Sequence, residues 1–134
     1  MPFKELDHTA DVAIHVSGSD LEDLFRQAAL GMMQLMAPSA QFKGPVITHM
    51  VNLTGSDSEE LLVEWLNELA YLAESKSMAV NHFSFERMTR HNLKAQLKGH
   101  VIDGIQRYIK AVTYHNLSIV ETRDGVEVTI VFDV

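Results

Sequence analysis

Apolar and polar positions change period several times along the chain, and each change marks an element. Val12, Ile14 and Val16 alternate with Ala13 and His15, the period-two pattern of a strand with one buried face. From Leu21 the period lengthens. Leu21, Leu24, Phe25, Ala28, Met32 and Leu35 share one helical stripe, which predicts a helix from about Asp20 to Met36, stopped by Pro38. Its methionines lie on that stripe with Leu and Phe, so they read as core and not as an adhesive face. Val46 to Leu53 predicts another strand. A second helix, about Asp57 to Glu74, buries Leu61, Leu62, Trp65, Leu66, Leu69 and Leu72. Phe83 and Phe85 mark a third strand and Leu93, Ala95 and Leu97 a fourth, with a turn near Arg90-His91-Asn92. The tail predicts a hairpin, roughly Ile109 to Val120 and Val126 to Asp133, turning at Asp124-Gly125.

Two of these segments are copies of one another. Ser17-Gly18-Ser19-Asp20-Leu21-Glu22-Asp23-Leu24 is echoed by Thr54-Gly55-Ser56-Asp57-Ser58-Glu59-Glu60-Leu61. In each, Gly ends a strand, Ser19 or Ser56 is placed to cap the helix, and Glu22 or Glu59 three residues later completes a capping box. Such a cap is worth about 1 kcal/mol. The order strand, helix, strand, helix and then four strands predicts an α+β fold within a single domain spanning residues 1–134. Its economical form is two helices packed on one face of a largely antiparallel sheet.

Composition narrows the class. Hydrophobic residues make up 46% and charged residues 22%, values of a globular chain that set disorder aside. No apolar run approaches the roughly 18 residues of a membrane span, and the N-terminal residues lack a signal-peptide pattern. The absence of cysteine excludes disulfides and thiolate-bound metal. The expectation is a soluble cytoplasmic protein with no membrane partner. Net charge is −7, with eleven Lys and Arg against eighteen acids and no basic cluster, so direct nucleic-acid binding is not expected. A role in RNA metabolism would run through a basic protein partner.

Candidate chemistry follows from strand parity. If Val12, Ile14 and Val16 face inward, Asp11, Ala13 and His15 face outward; in the last strand Glu127, Thr129, Val131 and Asp133 oppose Val128, Ile130 and Phe132. Were the two strands antiparallel neighbours, Asp11 and Asp133 would project from one corner, with the terminal carboxylate of Val134 beside them. Three converging anions call for a cation, and oxygen-only donors select a hard one. The plainer alternative is that Asp11 caps a turn and the terminus frays. His8, in Asp7-His8-Thr9-Ala10-Asp11, is a candidate for orienting this site from behind or simply satisfies backbone groups in a tight loop. Lys110 is grouped by parity with Tyr108, Val112 and Tyr114, and either snorkels to the edge or neutralises the aspartate corner or a partner's phosphate. No phosphate-cradling glycine loop or serine nucleophile elbow is present, so no catalytic residue is assigned.

Taken in order, Asp7-His8-Thr9-Ala10-Asp11-Val12, Leu61-Leu62-Val63-Glu64-Trp65-Leu66-Asn67-Glu68-Leu69, Lys110-Ala111-Val112-Thr113-Tyr114-His115 and Ile130-Val131-Phe132-Asp133-Val134 resemble the archease family across the whole chain. The resemblance implies one strand-helix-strand-strand module inserted into another. It also implies a non-enzymatic accessory role in tRNA splicing: activating the RNA-splicing ligase that joins 3′-phosphate and 5′-hydroxyl ends by promoting its guanylylation and repeated turnover, with tRNA touched indirectly through the ligase. Family metal ligands fall on Asp11, Asp133 and Val134, with Ca²⁺ first and Mg²⁺ or Mn²⁺ as alternatives. Lys110 would act with the aspartates at the ligase. The chain departs from the family at His100, which follows Gly99 where a glutamate is common. An alternative role is a chaperone-like modulator of an RNA-modifying enzyme such as a tRNA methyltransferase.

Overall fold

The computed structural model describes residues 2–6, 11–114 and 116–134. The elements are β1 (Phe3–Leu6), β2 (Val12–Gly18), α1 (Leu21–Met36), β3 (Val46–Thr54), α2 (Ser58–Lys76), β4 (Met78–Met88), β5 (Asn92–Val101), β6 (Ala111–Val112), β7 (Val120–Thr122) and β8 (Gly125–Asp133). The fold is α+β, with every strand pairing antiparallel. The strands divide between two sheets. One runs β1-β2-β8-β6, with β7 also on β8, and the other runs β3-β5-β4.

Both helices begin at the repeated segment, but their caps sit one residue later than the serines. Asp20 and Asp57 hold extended backbone at the N-cap, and their carboxylates accept from the Asp23 and Glu60 N–H groups, each at 2.8 Å. The carboxylates of Asp23 and Glu60 reach back to the N–H groups of Ser19 and Ser56. The expected Ser-x-x-Glu boxes therefore give way to Asp-x-x-Asp and Asp-x-x-Glu. An ionised cap satisfies a free N–H and complements the helix dipole at once, which a serine does not.

The inner stripes build a shared core. Leu24, Phe25, Ala28, Met32 and Met36 of α1 and Leu61, Leu62, Trp65, Leu66, Leu69 and Leu72 of α2 are essentially inaccessible to solvent. The methionines are core, as their stripe predicts, while Leu21 and Leu35 at its margins are half-buried. Trp65 ties the layers together. Its ring lies 5.8 and 5.4 Å from those of Phe83 and Phe85 on β4, and its Nε1–H donates to the Phe25 carbonyl on α1 at 3.0 Å. Burying a large aromatic with its polar N–H satisfied avoids the cost of an orphaned donor. No helix among the described residues is long and apolar enough to cross a membrane.

Two sequence expectations need correction. β1 was not foreseen, because four residues are too few to show a period. The long first arm of the C-terminal hairpin is broken into β6 and β7, which pair with opposite ends of β8. Between them a turn closes with Leu117 N–H donating to the Tyr114 carbonyl, and Asn116 takes a left-handed φ of 54°, which no strand continues through. The hairpin turn falls one residue earlier than expected: Thr122 pairs with Gly125, so Arg123 and Asp124 form the turn and Gly125 opens β8.

Candidate functional site

The parity argument is tested by β2 and β8, which are antiparallel neighbours from Val12↔Phe132 to Gly18↔Val126. The outward faces carry His15, Glu127 and Thr129 as predicted, but Ala13, predicted to lie with them, is fully buried. His15 lies opposite Thr129, its Nδ1 is 3.0 Å from Thr129 Oγ1, and its Nε2 is 3.6 Å from the Glu127 carboxylate. Ile14, Val16, Val128, Ile130 and Phe132 are buried on the other face. Continued one step past the last pair, the same register would bring Asp11 beside Asp133, although Asp11 itself lies in a bend just before β2. Asp133 is exposed and Asp11 half-exposed. Neither carboxylate makes an ion pair or hydrogen bond with another described residue.

The third strand of this corner brings Lys110. Ala111 pairs with Asp133 in β6, and the Lys110 N–H donates to the Asp133 carbonyl at 2.8 Å. The backbones of these two residues are thus locked together, and Lys110 is exposed. Its predicted partners on a face are not all kept. Val112 turns into the core together with Ile109, whereas Tyr108 and Tyr114 stay exposed. The reason is that regular strand geometry covers only Ala111–Val112, so period-two parity from Val112 does not extend back to Lys110. Val134, which follows Asp133, packs its side chain against the core.

His8 lies outside the described residues, as does His115. His100, the departure from the family pattern, sits on β5 in the other sheet. Its Nδ1 lies 2.8 Å from the Gly44 carbonyl and Phe42 meets its ring edge-on at 5.8 Å. A cleft of about 420 Å³, lined by Phe3, Ile14, Gly31, Leu35 and Arg107 among others, holds none of the candidate residues. Among the described residues no three His, Asp or Glu side chains gather into a metal-binding group.

Comparison with known proteins agrees with this fold. Residues 3–134 match the Archease protein family (MTH1598/TM1083). The archease of Methanosarcina barkeri is 33% identical, the match covering 98% of this chain and 95% of that protein. The archease of Saccharolobus islandicus is 34% identical over 98% of each. The solution structure of Methanobacterium thermoautotrophicum protein 1598 shares the fold, with a TM-score of 0.72 at 22% identity over 99% of both chains. The crystal structure of an archease, described as a possible chaperone, from Thermotoga maritima gives a TM-score of 0.67 at 25% identity, covering 98% of this chain and 96% of that one. The chain belongs to the archease family.

Proposed function

We propose that this protein is a cytoplasmic, non-catalytic activator of the RNA-splicing ligase, acting through a hard cation held at the Asp11–Asp133 corner. The observation behind the reading is the antiparallel β2–β8 register, which runs to Val12↔Phe132 and, extended by one step, would bring Asp11 beside Asp133 at the end of the sheet. Adjacent carboxylates repel unless a cation or a proton neutralises one of them. The donor set fits a hard ion: the carboxylates of Asp11 and Asp133 with a main-chain oxygen of Val134 would hold Ca²⁺, or Mg²⁺ or Mn²⁺ in its place. Such an ion would supply positive charge where negative charge develops on a phosphoryl group. Lys110, fixed to Asp133 through the backbone, would bring a mobile ammonium to the same phosphate. The basic partner implied by the net charge of −7 is the ligase, with RNA reached through it.

The test is ligation of a 3′-phosphate RNA by the cognate ligase with wild type, Asp11→Asn, Asp133→Asn or Lys110→Ala added in turn. Wild type is expected to raise turnover while each variant loses that stimulation. Calcium titration should show the two aspartate variants weakened by roughly 10–100-fold, the range seen when metal-site partners are removed. Variants that stimulate like wild type would end this reading. A second reading, as a chaperone-like modulator of an RNA-modifying enzyme, draws on the description of the Thermotoga maritima relative as a possible chaperone. It predicts that client solubility survives loss of Asp11 and Asp133.

A further inference from the structure

β3 is an unguarded sheet edge. It pairs with β5 on one side, and among the described residues its backbone makes no hydrogen bond on the other. A free edge is a template for another strand, and proteins usually blunt it with charges, proline, bulges or shortness. The opposite edge of the same sheet is blunted: β4 is irregular at Val80/His82 and Phe85/Arg87 and carries Glu86 and Arg87. β3 has none of these devices. Its nine residues, Val46–Thr54, run in unbroken register with β5 and include no Lys, Arg, Asp, Glu or Pro. Val46 and Met50 leave 66% and 48% of their surfaces in solvent.

The direction of the free backbone groups can be read from the ladder. Val101 N–H donates to the Pro45 carbonyl at 3.0 Å and Gly55 N–H to the His91 carbonyl at 2.9 Å, both continuing the β3–β5 register. In an antiparallel ladder, residues alternate between pointing their backbone groups at one neighbour and at the other. Odd-numbered residues therefore face β5. Val46, Thr48, Met50, Asn52 and Thr54 present their N–H and C=O groups outward.

We infer that this edge binds a second copy of the chain, β3 against β3, antiparallel about a two-fold axis at Met50. This register pairs Val46 with Thr54, Thr48 with Asn52 and Met50 with its own copy, so each outward N–H meets an outward carbonyl. Shifting the register leaves some of them unpaired. On the inner face Ile47 meets Leu53, and on the outer face Met50 and Val46 lose their exposure. No ionised side chain of either strand meets another, which matters in a chain of net charge −7, where most surfaces repel a copy. One carboxylate on α2, that of Glu68, lies 3.3 Å from His49 Nε2 of β3. The result is an isologous dimer with one continuous sheet, built on the sheet that does not carry Asp11 and Asp133.

Sedimentation velocity and amide exchange over a concentration series test this. The mass is expected to rise from 15.1 kDa to twice that value, while the amides of Val46, Thr48, Met50, Asn52 and Thr54 slow in step. Thr48→Lys places a guard on the edge, and Met50→Pro removes an outward donor without touching the β5 ladder. Both should stay monomeric with unchanged far-ultraviolet circular dichroism, and Thr48→Lys decides alone if the proline variant does not fold. A wild type that stays at monomer mass, variants that dimerise like wild type, or a dimer whose even-numbered β3 amides exchange no more slowly would overturn the proposal. A monomeric wild type would leave the edge to a strand of the ligase.

Discussion

The two copies of the repeated strand-to-helix segment have nearly identical local structure and different surroundings. Asp20 and Asp57 cap their helices at φ/ψ of −151/−176° and −152/178°, with the same 2.8 Å bond to the third residue on. Yet β2, before the first copy, is an interior strand between β1 and β8, whereas β3, before the second, is an edge. The inserted helices differ too, since Trp65 of α2 stands where the first copy has Ala28. A repeated sequence thus repeats its local chemistry, while its neighbours decide what each copy is for. Interior β2 spends its backbone groups on two neighbours, and edge β3 is left with backbone groups to offer.

The largest effect should come from breaking the asymmetry between the helices. Trp65→Ala removes the fully buried ring that joins α1, α2 and β4, at an expected cost of about 3–5 kcal/mol in chemical denaturation. A loss below about 1 kcal/mol would mean that the core closes without it. Next, the functions of the two strands should separate. Asp11→Asn is expected to weaken calcium binding and leave dimer mass unaltered, and Thr48→Lys to do the reverse. Coupled losses would show that β2 and β3 do not act independently. Smaller still, Asp20→Ala and Asp57→Ala should each cost about 1 kcal/mol, with Ser19→Ala and Ser56→Ala costing less. Clearly unequal aspartate values would break the equivalence of the two caps.

The smallest effect is one of pH. The Ser19 backbone N–H, aided by Gln27, the Ser19 hydroxyl and Arg26, outweighs desolvation and holds the Asp23 carboxyl below its ordinary value of 3.8. A group with a lowered folded pKa contributes stability that is fully present above the unfolded value and lost as pH falls through the folded one. Asp23→Asn should therefore destabilise the protein at pH 7 and cost progressively less as the solution is acidified below pH 3.8. Denaturation midpoints for both proteins at several pH values check this, and a cost that is constant with pH would contradict it.

Much of this molecule is legible one residue at a time. The stripes of α1 and α2, the alternation of β2 and β8 and, to within one residue, the turn into β8 are properties of a few neighbouring positions, since side-chain direction and turn chemistry are local. Parity alone thus put Asp11 and Asp133 on outward faces. The serine caps were misread because Ser and Asp both cap well in sequence, and only geometry shows which one accepts the bond. Lys110 was misgrouped because parity assumes a strand that extends for only two residues.

What the sequence by itself determined is therefore the set of elements, their buried faces and the residue types each presents to solvent. The tertiary structure alone decided that opposite ends of the chain meet at β2 and β8, that the strands form two sheets, and that β3 lies at an edge. Strand order is a contest among distant segments with similar apolar faces. It is settled by which arrangement buries all of them at once, and no short stretch of residues carries that information.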